Sequence, residues 1–77
     1  MKHSTTDRIY RHLGAVGLLP YARTNAARAI CRQNTRSFGA SIIVALPAAL
    51  AARATDADWQ YLHAKLVLDA EMEAAFV

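Results

Sequence analysis

The stretch SIIVALPAALAARA, residues 41–54, lies in the middle of a chain of 77 residues. The uncharged run that contains it, residues 40–52, is about 13 residues long, whereas a membrane-spanning helix needs roughly 20 apolar residues. Arg36 and Arg53 stand on either side, so the run cannot be extended. A secretory signal would place its apolar region close to residue 1. The run therefore predicts an interior helix of a water-soluble domain, apolar on all sides.

Pro47 interrupts this predicted helix. Because proline in a helix interior costs about 3 kcal/mol, we expect a kink near Val44 or a split into two short helices at Leu46-Pro47. The β-branched residues Ile42, Ile43 and Val44 would also suit a short buried strand. A lone strand has nothing to pair with here, so a helix is favoured unless copies of the chain share a sheet.

Two helical segments precede the apolar run. The first begins at Thr5 or Thr6, which are suitable N-cap residues, and is weakened and then ended by Gly14, Gly17 and Pro20. The second covers residues 20–33, with small apolar residues on one face and arginines on the opposite face. A short turn joins the two segments, which favours antiparallel neighbours.

The last helical segment has the clearest start, because Thr55 and Asp58 have the spacing of a capping box. It continues to about Phe76 with no breaking residue. One face carries Trp59, Leu62, Leu66 and Ala70, and a roughly opposite face carries Tyr61, Leu68, Met72 and Phe76. The predicted architecture is a single all-α domain over residues 1–77, a bundle of four helices with the third kinked or split at Pro47.

Charge is distributed unevenly along the chain. Residues 1–54 contain eight lysines and arginines and one acid, whereas residues 55–77 contain one lysine and five acids. Two interpretations stay open: the basic part meets phosphate or an acidic protein surface, or the acidic end folds back and neutralises it. The single cysteine allows no internal disulfide, so we expect a cytoplasmic protein. Abundant arginine and alanine suggest GC-rich coding, hence a bacterium or its phage or mobile element.

Signals of catalysis are weak. The three histidines and Cys31 share no metal-ligand spacing. We expect His63 at the edge of the core and Cys31 as a small buried group. Asp69 and Glu73 share a helical face, but such pairs are usually solvated. No glycine-rich phosphate loop is present. The sequence thus predicts no enzyme, no metal and no cofactor.

Binding is the better-supported class of function. The predicted partner-binding residues are Arg23, Arg28, Arg32 and Arg36 on the second helix and Tyr61, Leu68, Met72 and Phe76 on the last. They suggest a small regulatory or inhibitory protein that docks on a larger protein or nucleoprotein complex and blocks it sterically, with no membrane partner. A phage-encoded inhibitor of a host machine, acting against defence or on transcription, is one version. The second face of the last helix would meet that partner or form a homodimer, unless both faces are covered internally. The alternative is a DNA- or RNA-binding protein that uses the basic helix 20–36.

Overall fold

A computed structural model describes residues 4–32 and 35–75, except for the side chains of residues 30–32 and 35–37. The described residues form five helices and no strand: α1 (Ser4–Ala15), α2 (Leu19–Arg32), α3 (Thr35–Ile43), α4 (Ala48–Arg53) and α5 (Asp56–Ala75). The all-helical prediction is confirmed for this part of the chain. The segment around Pro47 contributes two of the five, so of the predicted alternatives, a kink or a split at Pro47, the structure has the split, and five helices replace the predicted bundle of four.

Proline chemistry explains the extra helix. The turn after α3 is closed by hydrogen bonds from the N–H groups of Ala45 and Leu46 to the carbonyls of Ile42 and Ile43. Pro47 has no N–H to continue this ladder, and its ring disfavours the helical conformation at the preceding residue. Pro47 itself is extended (φ −56°, ψ 143°) and forms the N-cap of α4. Its carbonyl accepts the first bond of the new helix, from the N–H of Ala51 at 2.9 Å.

The prediction that the middle run is an interior helix is wrong, because Ile42 is the only buried residue among residues 40–52. Phe38 and Ile42 on α3 are buried, but α4 has no buried residue, and Val44 between the two helices is 83% exposed. A chain of this size has too little interior to enclose every apolar side chain. In the described residues α4 packs mainly against α1 and contributes Leu50 to the edge of the core.

The core lies where α2, α3 and α5 meet, and α1 covers it from one side. Its large members are Ile9, Leu13, Phe38, Ile42, Trp59, Leu62 and Leu66. Alanines form the core face of α2, which lets α3 and α5 approach it closely. Gly39 does the same for α3, since a Cβ at this position would lie 3.0 Å from Cγ of Trp59.

Two helix ends follow local sequence rules. At the start of α5, the N–H of Thr55 donates to Asp58 Oδ2 at 2.9 Å and the N–H of Asp58 donates to Thr55 Oγ1 at 3.3 Å, so the predicted capping box is confirmed. At the end of α1, Gly17 adopts a left-handed φ of 77°, and the N–H of Leu18 donates to the carbonyl of Leu13 at 2.8 Å. This glycine C-cap turns the chain into α2.

The predicted start of α1 is wrong. Ser4 is already helical, so neither Thr5 nor Thr6 is the N-cap. Thr6 is instead fully buried, and its hydroxyl donates to Asp58 Oδ1 at 2.9 Å. The buried hydroxyl needs an acceptor, and the carboxylate that caps α5 supplies it.

In residues 4–32 and 35–75, no helix has both the length and the apolar character needed to cross a membrane.

Candidate docking surface

Helix α5 is held in place by polar contacts along one side. Near its middle, the Tyr10 hydroxyl donates to Asp69 Oδ2 at 2.7 Å, and the Lys65 ammonium lies 4.8 Å from the centre of the Tyr10 ring. The hydrogen bond to Asp69 raises the pKa of Tyr10, with burial and the carboxylate charge adding to it, while Arg23 opposes the shift. These contacts fix which face of α5 turns toward α1.

The second polar contact joins α5 to α2. Arg23 Nη1 lies 3.2 Å from Glu73 Oε2, and the Arg23 side chain is 28% exposed. Of the two interpretations of the charge distribution, folding back of the acidic end therefore holds for this pair. Arg23 was also expected to contact a partner, but the structure places it against α5.

The other predicted arginines have different positions. Arg28 is exposed and makes no ion pair with any described side chain. The side chains of Arg32 and Arg36 lie outside the described residues, so the predicted stripe is visible only at Arg23 and Arg28. These two residues do not act together, because one is bonded to Glu73 and the other faces solvent.

The face of α5 opposite the core is apolar and open to solvent. Tyr61 is 41% exposed, Leu68 is 55% exposed and Met72 is 53% exposed. Exposed alanines complete the stripe, which we call the outward face and which consists of Ala57, Tyr61, Ala64, Leu68, Met72 and Ala75. Their spacing of three or four residues keeps them on one side for the full length of the helix. Phe76, the last residue predicted for this face, lies outside the described residues.

A shallow groove runs between α2 and α5. Two adjoining cavities of about 510 and 330 Å³ share the alanines at positions 27, 70 and 74 as their floor. Glu71 and Glu73 line it from α5, and Thr24 lines it from α2. A floor of alanines allows another backbone to approach closely, which is the geometry of helix-in-groove recognition.

His63 lies at the edge of the core, as predicted. Its Nε2 is 2.9 Å from the carbonyl oxygen of Ala26, and its ring meets the edge of Phe38 at a centroid distance of 5.4 Å. Because a carbonyl oxygen only accepts, Nε2 carries the proton. Among residues 4–32 and 35–75, no three histidine, cysteine, aspartate or glutamate side chains are grouped as metal ligands would be.

Two structural roles were not found from the sequence. Tyr10 and Thr6 both bind carboxylates of α5 from α1, across 59 and 52 positions of sequence. The sequence suggested a different role for Thr6, because a threonine near the start of a helix is typical of an N-cap.

Comparisons of the chain with protein-family models, curated proteins and solved structures found no match.

Proposed function

We propose that this chain is a small non-enzymatic protein of regulatory or inhibitory type, which docks on a larger protein or nucleoprotein complex. The observation that carries the proposal is the outward face of α5. Both sides of this helix are apolar, but the core covers only the side with Trp59, Leu62 and Leu66. An amphipathic helix normally buries its apolar side against the core and turns polar side chains to solvent, so a second apolar stripe left exposed along α5 favours a docking role.

The energetics favour covering this face. Full burial of a leucine or methionine side chain contributes about 1.5–3 kcal/mol, so the exposed halves of Leu68 and Met72 are worth about 1 kcal/mol each. Methionine adapts its shape to a partner surface. A stripe of this kind on a small protein marks an interaction site more often than a single exposed apolar residue does.

Steric blocking is the mechanism we propose. A domain with a Cα radius of gyration of 11.8 Å can cover a functional surface of a larger machine without performing any reaction. The outward face would supply the apolar contact, and exposed arginines such as Arg28 would meet acidic groups around it. The regulatory role, the bacterial or phage source and the cytoplasmic location are parts of this proposal.

Substitution on the outward face tests the proposal. We expect the pair Leu68→Glu and Met72→Glu to abolish capture of the partner from a lysate of the source cells, while helicity is unchanged. The matched control is Val16→Glu, because Val16 is an apolar residue that is 50% exposed at the end of α1, outside the outward face. Capture of the same proteins by the α5 variant and by wild type would refute docking through this face. Light scattering of the same variants distinguishes a homodimer, which would dissociate only in the α5 variant.

Nucleic-acid binding through the basic helix 20–36 is the second candidate. The observation in its favour is that Arg28 on this helix is exposed and makes no ion pair with a described side chain. If it is correct, affinity for DNA or RNA falls steeply with rising salt, in proportion to the phosphates contacted. Arg28→Glu would then weaken binding. Absence of a mobility shift near physiological salt would rule this candidate out.

A further inference from the structure

A second exposed apolar surface lies within the stretch of residues 41–54. Val44 is 83% exposed and Ile43 is 38% exposed. The residues that continue this surface along the turn and α4 are also exposed: Pro47, Ala48, Ala49 and Ala52. This patch lies on a different helix from the outward face of α5, so it is an independent feature of the surface.

A groove borders this patch where α4 meets α1. It has a volume of about 310 Å³ and is lined by Arg8, Pro47, Ala49, Leu50 and Arg53. The lining thus consists of an apolar floor from α4 and two arginines, one from each helix. Both arginines are exposed, and neither makes an ion pair with a described side chain.

Among the described residues, none of those that line this groove is acidic. No aspartate or glutamate occurs between Asp7 and Asp56. The two acids at the ends of this span are exposed and do not pair with either arginine. Two uncompensated guanidinium groups beside an apolar floor select for a ligand that carries carboxylates next to apolar groups.

We propose that the α1–α4 groove binds an acidic amphipathic segment of a partner protein, whose apolar side chain rests on Pro47 and Leu50 while its carboxylates meet Arg8 and Arg53. The volume fits one or two side chains of such a segment and is at the lower limit for a small-molecule pocket. Single-stranded nucleic acid fits this surface less well, because the groove lining contains no aromatic side chain on which a base could stack. The proposal goes beyond docking through α5 and does not depend on it.

A pair of synthetic peptides tests this site on the purified full chain. The probe is a helical peptide of about 15 residues, long enough to sustain helix, with leucines along one face and glutamates beside them. The control peptide has the same sequence with lysine in place of each glutamate. Calorimetry measures affinity, and amide NMR shifts locate the site. We expect saturable binding of the acidic peptide alone, with shifts at residue 8 and at residues 47–53.

Charge reversal identifies the contacts. Arg8→Glu and Arg53→Glu should each lower the affinity for the acidic peptide by at least about fivefold, because each replaces an attraction between charges by a repulsion. The matched control is Arg28→Glu, which makes the same charge change at an exposed arginine outside the groove. All three positions are exposed, so circular dichroism and melting temperature should be unchanged.

Three results of these experiments would overturn binding of an acidic segment in the α1–α4 groove. Equal weakening by Arg28→Glu would show general attraction to a basic protein and overturn the proposal. Equal binding of the two peptides, or binding of duplex DNA through Arg8 and Arg53 with none of the peptide, would do the same. The α5 variant Leu68→Glu should still bind the peptide, so that failure of docking through α5 and failure of this groove are distinguishable.

Discussion

Replacing Gly39 by alanine perturbs the close contact between α3 and α5. The new Cβ would lie 3.0, 3.1 and 3.3 Å from the ring atoms Cγ, Cδ2 and Cδ1 of Trp59. That ring is not free to retreat, because it is largely buried and meets Phe38 edge to face, with centroids 6.4 Å apart. We therefore expect the added methyl group to push the two helices apart or to force the indole from its preferred rotamer.

The size of the effect comes from two opposing terms. Alanine in place of glycine stabilises a helix by about 0.8–1.0 kcal/mol. Overpacking a close-packed core costs about 1–3 kcal/mol, so Gly39→Ala should lower the free energy of unfolding by up to about 2 kcal/mol. Gly14 is the matched control, since it also lies in a helix but a Cβ there would be 3.4 Å from Leu19 Cδ1, an ordinary contact. Gly14→Ala should stabilise by about 0.5–1 kcal/mol.

Urea unfolding of both variants measures the difference. Trp59 is the only tryptophan of the chain, so its fluorescence reports directly on the perturbed contact, and far-ultraviolet circular dichroism reports on the helices. In a domain of this size each kcal/mol changes the melting temperature by roughly 4–8 °C. If Gly39→Ala proved as stabilising as Gly14→Ala, the close approach of α3 to Trp59 would be refuted.

Three further predictions concern α5 and α1. Leu66→Ala should destabilise by about 2–5 kcal/mol and Leu68→Ala by less than about 0.5 kcal/mol, because only Leu66 is buried; comparable losses in urea unfolding would contradict the assignment of faces. Because the folded-state pKa of Tyr10 is raised above 10.0 by its bond to Asp69, its contribution to stability is complete below pH 10 and declines as pH rises through the raised pKa. The free energy of unfolding of wild type and Tyr10→Phe, measured as a function of alkaline pH, tests this contribution. Identical pH profiles of the two proteins would contradict it. Thr6→Val should lower the free energy of unfolding by about 1–2 kcal/mol, because the Asp58 carboxylate of α5 loses a buried hydrogen-bond donor. An unchanged melting temperature would contradict this hydrogen bond.

Much of the fold was predictable where the signal is local. The capping box of Thr55 and Asp58 and the glycine turn at Gly17 depend only on residues a few positions apart. Pro47 interrupts the helical hydrogen-bond ladder wherever its segment packs. The sequence left open whether the helix is kinked or split at this proline, because a kinked helix and two separate helices are alternatives that local rules do not distinguish.

The candidate docking surface was predictable in part. Tyr61, Leu68 and Met72 are exposed together on the face that the periodicity assigned to them. The role of Arg23 was not predictable in the same way, since its contact with Glu73 spans 50 positions of sequence. Helical periodicity specifies which residues share a face, but it does not specify which other helix that face meets.

By itself, the sequence determined that this chain forms helices, where most of them begin or end, and which side chains share a face. Those properties depend on dihedral preferences and on hydrogen bonds between near neighbours. Only the tertiary structure decided that one apolar side of α5 is buried while the other is exposed, and that α4 lies on the surface. The physical reason is that a chain of 77 residues can bury only a limited apolar area, and three-dimensional packing decides which faces obtain it.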